Sequence, residues 1–146
     1  MSIGKLTSAQ YGDGSSLIVV WDDGHRATID LAALVSRRPA LAPILAPGSL
    51  PQISDDGWSL EFSPSGVDFG AAQLRRWADE QAGEAMAAPA FRAWMDHHGF
   101  TLDRAAEALG LSRRTIAYYL SGEQPVPKTV MLATDGYDAR RARETR

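Results

Sequence analysis

Two neighbouring arginines, Arg113 and Arg114, precede Tyr118 and Ser121 at spacings that place all four on the outward face of a helix. A guanidinium in the first turn of such a helix can pair bidentately with guanine or bind a phosphate. A tyrosine hydroxyl can contact a base or a phosphate. These residue types predict contact with nucleic acid.

The surrounding segment, from Leu102 to Ser121, predicts two short helices that would position these side chains. Ser112 is a good N-cap for the second helix, and Gly122 is a natural stop. Ala106 and Gly110 are small where two helices must cross closely. The inward positions are apolar at helical spacing: Ala105, Leu109, Leu111, Ile116 and Tyr119.

The flanks predict further helices. Phe91, Trp94, Met95 and His98 stand at i, i+3, i+4 and i+7, which predicts an amphipathic helix that ends at Gly99. Thr101 would cap the next helix. Downstream, residues 129–133 predict a short fourth helix, and the segment from Asp138 onward is expected to be too charged to pack.

From Pro89 onward the sequence resembles the lambda-repressor-like helix-turn-helix family, called the Xre family in its bacterial form. The matching residues are Gly99-Phe100-Thr101, Ala105-Ala106, Leu109-Gly110-Leu111-Ser112, Thr115-Ile116, Gly122 and Pro127. The resemblance implies a recognition helix, residues 112–121, in the major groove of double-stranded DNA. The predicted DNA-binding residues are Thr101, Ser112, Arg113, Arg114, Thr115, Tyr118 and Ser121.

Two positions depart from this family. Leu102 stands where glutamine often contacts a phosphate, so one expected DNA contact is missing. Leu120 stands where glutamate is frequent, and it is expected to face a partner.

Charge divides the chain unevenly. Residues 1–89 hold 6 Lys and Arg against 11 Asp and Glu, whereas residues 90–146 hold 9 against 7. The C-terminal part is therefore only slightly basic, which predicts weak binding by a monomer that dimerisation or a partner protein would strengthen. Because helix-turn-helix domains usually bind as dimers on two half-sites, a homodimer is predicted. A basic tail, residues 138–146, ends the chain with Arg140, Arg141, Arg143 and Arg146. It is either a solvated terminus or an arm that lies along phosphates.

The first part of the chain has the periodicity of strands. Residues 17–21 and 26–30, joined by Asp22-Asp23-Gly24, predict one hairpin; residues 52–54 and 58–62 predict another. A short helix over 31–35, capped by Asp30, should follow the first hairpin, and Ile44 and Leu45 should plug the core. A helix over 71–81 should bury Leu74 and Trp77 and expose Arg75 and Arg76.

This order of elements resembles a small bacterial domain family of unknown function, number two-four-four-two in its series. The residues that match are Trp21-Asp22-Asp23-Gly24, Ile29-Asp30-Leu31, Leu60-Glu61-Phe62 and Gly66-Val67-Asp68-Phe69. The resemblance implies a compact α+β domain with no known chemistry.

We therefore predict an α+β protein with two domains. An N-terminal domain of antiparallel β-hairpins with a helix covers residues 1–82, and a linker covers 83–89. An all-α helix-turn-helix domain covers 90–137, and the basic tail follows it. With 146 residues and 45% hydrophobic content, the chain is large enough for packed cores.

No catalytic, metal or cofactor site is predicted. The aspartates each have a turn or capping explanation, and the side chains of the adjacent His97 and His98 diverge on a helix. The chain has no cysteine, no apolar run long enough to cross a membrane and no signal sequence at its start. These features predict a cytoplasmic protein that is not an enzyme.

The function predicted from sequence is that of a bacterial transcriptional regulator that binds DNA sequence-specifically. One alternative is an antitoxin that grips a toxin and autoregulates its operon. The other is a protein-interaction module without DNA binding, which would use Leu102, Tyr119 and Leu120 as an apolar patch.

Overall fold

The structure is a computed structural model that describes residues 4–145. The chain divides into two compact units, and the division falls between Gln81 and Ala82. Antiparallel strands dominate the first unit and helices the second, so the predicted α+β class is confirmed.

The first unit contains two antiparallel sheets of three strands each, both ordered as in the sequence. One sheet holds β1 (Leu6–Tyr11), β2 (Ser16–Trp21) and β3 (Arg26–Asp30); the other holds β4 (Leu50–Ile53), β5 (Ser59–Ser63) and β6 (Val67–Gly70). Helix α1 (Leu31–Arg37), a 3₁₀ helix (Pro39–Leu45) and α2 (Ala71–Gln81) complete this unit.

Alternation along the strands builds the core of the first unit. Leu17, Val19 and Trp21 on β2 are buried, and their neighbours are only half-buried, because successive side chains of a strand point to opposite faces. The Trp21 indole Nε1 donates to the carbonyl of Ala71 at 3.1 Å. This bond ties the first sheet to the start of α2.

The C-terminal end of α2 is also tied to the first sheet. The Gln81 side-chain amide accepts from the backbone N–H of Asp30 at 2.7 Å and donates to the Asp30 carbonyl at 3.0 Å. The Asp30 carboxylate meanwhile caps α1 through the N–H of Ala33. One residue thus connects β3, α1 and α2, and the predicted capping by Asp30 is confirmed.

Several features of this unit were missed or wrongly predicted from the sequence. β1 and β6 were not predicted, because β1 alternates only weakly and β6 has four residues. Leu45 is exposed while Ile44 fills the core, since adjacent residues of the 3₁₀ helix point in different directions. Arg75 and Arg76 are half-buried rather than exposed; Arg75 lies over the Trp21 ring, 5.1 Å from its centroid.

The second unit consists of four helices and a two-stranded antiparallel ribbon. Its elements are β7 (Ala85–Met86), α3 (Ala88–His98), α4 (Leu102–Leu109), α5 (Arg113–Ser121), β8 (Val126–Pro127) and α6 (Lys128–Glu144). The core contains residues from every helix, among them Phe91, Ala105, Ile116 and Val130. Gly99, Gly110 and Gly122 end α3, α4 and α5 in the left-handed conformation, as expected for a C-cap glycine.

Two predictions for the second unit were wrong. The expected linker over 83–89 contains β7, which pairs with β8 and is followed at once by α3. The expected short fourth helix continues to Glu144 as α6, through most of the segment predicted as a basic tail. The reason lies at Tyr137 and Asp138, which pack against α3 although their surroundings are charged. Arg146 lies outside the described residues.

Within residues 4–145, no helix is long and apolar enough to cross a membrane.

Candidate nucleic-acid interface

Helices α4 and α5 form the helix-turn-helix, and their ends are fixed by the predicted caps. The Thr101 hydroxyl accepts from the N–H of Arg104 at 3.2 Å, and the Ser112 hydroxyl accepts from the N–H of Thr115 at 3.1 Å. Ile116 and Tyr119 anchor α5 in the core, where the Tyr119 ring meets the Phe91 ring edge to face at 5.6 Å between centroids. Anchoring by these residues fixes which face of α5 stays outward.

Arg114 and Tyr118 form a pair on the outward face of α5. The guanidinium lies 5.2 Å from the centroid of the Tyr118 ring, and its Nε donates to the Tyr118 hydroxyl oxygen. Within the described part of the chain, the two terminal nitrogens of Arg114 have no hydrogen-bond partner. The two terminal nitrogens are thus available for a bidentate contact, while Tyr118 restricts the orientation of the guanidinium.

Arg113 has a different environment. Its Nε lies 3.8 Å from Oδ1 of Asp103 on α4, and both side chains are about two-thirds to three-quarters exposed, at 66% and 74%. An ion pair this exposed is weak, so a phosphate can displace the carboxylate at little cost. Asp103 was not among the predicted site residues, although it stands in the first turn of α4, where an acidic side chain is favourable.

The remaining predicted site residues are hydroxyls with structural bonds. Thr115 Oγ1 lies 2.9 Å from Ser112 Oγ, so the two hydroxyls share one hydrogen bond at the start of α5. Ser121 Oγ donates to the carbonyl of Tyr118 at 3.2 Å and accepts from the N–H of Glu123 at 3.3 Å. Ser121 stands at the opposite end of α5, about 12 Å from Arg113 along the axis.

An interaction module without DNA binding would use Leu102, Tyr119 and Leu120 as an exposed apolar patch, but these three residues are partly or fully buried. Tyr119 is buried, and burial raises the pKa of its hydroxyl above the ordinary value. Leu102 and Leu120 are half-buried and pack against the same core. The departures from the family pattern at Leu102 and Leu120 therefore contribute to packing within this unit.

The aspartates of the first unit are used in turns. The Asp23 carboxylate accepts hydrogen bonds from the N–H of His25 and from the guanidinium of Arg75. These bonds lower the pKa of Asp23, and the bond from His25 has the larger effect. The Asp56 carboxylate accepts from the Ser54 hydroxyl and from the N–H of Trp58, and both bonds lower the pKa of Asp56, the bond from Ser54 more strongly. Among residues 4–145, no three His, Asp or Glu side chains are grouped so that they could hold a metal ion.

A second polar arrangement, which sequence reasoning missed, joins α6 to α3. Asp138 Oδ1 accepts from the indole Nε1 of Trp94 at 2.9 Å and lies 2.7 Å from Nε2 of His98. The Tyr137 ring meets Trp94, His98 and Phe100 at centroid distances between 5.2 and 5.8 Å. Phe100 directly precedes the cap of α4, so this aromatic cluster places α6 beside the start of the helix-turn-helix.

Comparison with known proteins agrees with this geometry. Residues 90–120, which span most of α3 and all of α4 and nearly all of α5, match a helix-turn-helix family described as bacterial regulatory protein, Fis family. The predicted helix-turn-helix is confirmed. The matching family is the Fis family, whereas the residues alone resembled the lambda-repressor-like family.

A solved structure extends the similarity to nearly the whole chain. The solved structure is that of a protein from Nitrosomonas europaea ATCC 19718, which is described as a "putative DNA binding protein". It is 32% identical, with a TM-score of 0.51, over 97% of this chain and 92% of that one. The chain belongs to the family of this protein. The similarity therefore extends over residues of both units. No curated protein matches the sequence.

Proposed function

We propose that this protein is a sequence-specific DNA-binding protein and a bacterial transcriptional regulator, with α5 as the recognition helix in the major groove. The observation that supports the proposal most strongly is the outward face of α5, where Arg113 and Arg114 stand in the first turn of a helix anchored by buried Ile116 and Tyr119. The match to a bacterial regulatory family over residues 90–120 and the description of the Nitrosomonas europaea relative support it as well.

The two arginines have different tasks in this proposal. Arg114 contacts a guanine, because its free terminal nitrogens match the O6 and N7 acceptors of that base and Tyr118 restricts its side chain. Arg113 contacts a phosphate in exchange for Asp103. The Tyr118 hydroxyl accepts from Arg114 and keeps its own proton to donate to a base or phosphate oxygen.

The hydroxyl groups at the starts of α4 and α5 donate hydrogen bonds to phosphates of the DNA. Thr101 and Ser112 accept from backbone N–H groups through lone pairs, so the hydroxyl proton of Thr101 remains available to a phosphate. Ser112 and Thr115 share a hydrogen bond, which leaves one hydroxyl proton between them for an outside acceptor. Ser121 would contact DNA only at the far end of α5.

The working form is proposed to be a homodimer. Residues 90–146 hold only 9 basic against 7 acidic residues, so one copy neutralises few phosphates. Two copies on half-sites one helical turn apart would double these contacts. The antitoxin alternative and the resemblances to the lambda-repressor-like family and to the N-terminal domain family stay predictions.

Selection of DNA fragments bound by the full chain tests the proposal. The wild-type protein should enrich a short motif that contains guanine. Arg114→Lys removes the bidentate geometry but keeps the charge, so it should lower discrimination at one guanine by about 1–3 kcal/mol while general affinity changes little. Tyr118→Phe should weaken the same preference less, because the ring stays and only the hydroxyl is lost.

Two outcomes would contradict the proposal. One is the absence of any enriched motif with the wild-type protein. The other is an identical motif, with identical preference at every position, for the wild-type protein and Arg114→Lys. Arg92→Lys, on the exposed face of α3, is the matched control and should leave the motif unchanged.

A further inference from the structure

The C-terminal half of α6 carries cations beyond the packed part of the helix. Val130 and Thr134 are buried, and Tyr137 and Asp138 contact α3, whereas every residue from Ala139 to Thr145 is exposed. A segment of this kind without tertiary contacts would fray as an isolated peptide. Here it extends from a helix that is docked on the core, so its side chains have defined directions.

Helical geometry places one arginine above the contact with α3. Arg141 follows Tyr137 by four residues and Asp138 by three, which are the two spacings that share a face of a helix. Arg143 follows the same residues by six and five, so it lies about 120–140° away around the axis. The two arginines therefore differ in direction although they are only two residues apart.

The face with Arg141 lies toward the start of the helix-turn-helix. Asp138 is 2.7 Å from His98, the last residue of α3, and the Tyr137 ring is 5.6 Å from that of Phe100, which directly precedes the cap of α4. Arg141 is one helical turn, about 5 Å, beyond these contacts. The exposed Arg104 of α4 lies in the turn that follows the same cap.

We propose that Arg141 is a DNA phosphate contact outside the helix-turn-helix, which α6 holds in place through the contacts of Tyr137 and Asp138. The proposal rests on the proposed function and adds a second site of contact with the same DNA. The only ion pair of Arg141 among the described residues is to Glu144 at 3.8 Å, with both side chains more than half exposed. A phosphate replaces a pair this weak easily, and no base is involved.

This contact would add affinity without sequence preference. Each neutralised phosphate contributes about 0.9 to the slope of the logarithm of the affinity against the logarithm of the salt concentration. The contribution of Arg141 should therefore appear in the salt dependence of binding and leave the selected motif unchanged.

The test compares Arg141→Glu with Arg143→Glu in the full chain, on the DNA fragment that the wild-type protein selects. Both variants change the charge by the same amount on the same exposed helix. Arg141→Glu should reduce the salt slope by about 0.9 or more and weaken binding several-fold at low salt. Arg143→Glu should have a salt slope and a low-salt affinity close to those of the wild-type protein. The indole N–H signal of Trp94 reports in both variants whether α6 is still docked.

The outcomes separate the two proposals. Equal slopes for the two variants, with Trp94 unperturbed in both, would overturn the contact by Arg141 even if DNA binding depends on Arg113 and Arg114. A changed motif with Arg141→Glu would overturn it as well, because a phosphate contact has no sequence preference. Absence of binding by the wild-type protein would overturn both proposals.

Discussion

Two arginines of the first unit, Arg75 and Arg38, lie over aromatic rings, whereas Arg113 and Arg114 of the second unit are exposed to solvent. In the first unit, Arg75 lies 3.1 Å from the Asp23 carboxylate and over the Trp21 ring, and Arg38 lies over the Trp77 ring at 5.4 Å. In the second unit, Arg113 is 66% exposed, and among residues 4–145 the guanidinium of Arg114 contacts only Tyr118. Arg75 and Arg38 thus contribute to packing in the first unit, whereas Arg113 and Arg114 are available for a ligand in the second.

Because exposed cations are unevenly distributed between the two units, the net charge of the chain does not predict whether this protein binds a polyanion. The chain has a formal net charge of −3, yet its acidic excess lies in residues 1–89. Binding of a polyanion depends on where exposed cations stand, and a total for the chain averages over both units. The proposal of DNA binding accordingly rests on the exposed surface of α5.

Core truncations should produce the largest difference between the units. Phe62 and Phe91 are both fully buried, in the first and second unit respectively. Phe62→Ala and Phe91→Ala should each lower the free energy of unfolding of their own unit by about 3–5 kcal/mol. The indole N–H signals follow the units separately, since Trp21, Trp58 and Trp77 lie in the first and Trp94 in the second.

Only Phe91→Ala should abolish DNA binding. If either variant made all four indole signals disappear in one transition, the two units would fold as one, and the contrast between them would fail.

Much of the second unit was predictable because its signals are local. The caps at Thr101 and Ser112, the stops at Gly110 and Gly122 and the apolar spacing each depend on residues within four positions. The pair of Arg114 and Tyr118 has the i, i+4 spacing and was accessible from sequence in the same way. Asp138 was not, because its partners Trp94 and His98 stand 40 or more residues earlier.

The first unit was harder to predict because its strands depend on distant partners. β1 pairs with β2 through an irregularity between Leu6 and Ser8, which interrupts the alternation that a strand prediction needs. Arg75 was expected to be exposed because its spacing on α2 is polar, but Asp23 and Trp21, some 50 residues away, hold it. Local patterns contain no information on such partners.

Replacing a helix cap should have an intermediate effect on stability in either unit. It should change DNA affinity only in the second unit. Ser112→Ala removes the cap of α5 and should cost about 1 kcal/mol of stability in the second unit. Ser112→Asp restores a cap acceptor but adds a negative charge beside Arg113 and Arg114. It should therefore keep the stability and still weaken DNA binding.

Asp30→Ala is the corresponding change in the first unit, where Asp30 caps α1. It should lower stability to a similar extent and leave DNA affinity unchanged. Equal DNA affinity for Ser112→Asp and the wild-type protein would show that the start of α5 does not face the DNA.

The smallest expected effect is a pH dependence confined to the first unit. The N–H of His25 and the guanidinium of Arg75 hold the pKa of Asp23 below its ordinary value of 3.8. Asp23 therefore contributes stability above that pH, and the contribution is lost as the pH falls through the lowered pKa. Asp23→Asn should destabilise the first unit at pH 6, and the difference from the wild-type protein should shrink toward pH 3.

Thermal unfolding of the two proteins, followed by the Trp21 and Trp94 indole signals, measures this dependence. A difference that grows toward pH 3, or that appears at Trp94, would contradict the assignment.

The most direct test of DNA binding by α5 is the affinity of two charge-matched double variants for the selected DNA fragment at one moderate salt concentration. Arg113→Ala with Arg114→Ala removes two exposed cations from the second unit; Arg26→Ala with Arg37→Ala removes two from the first. We predict a loss of about ten-fold or more for the first pair and an affinity near that of the wild-type protein for the second. Equal affinities for the two variants would contradict the account.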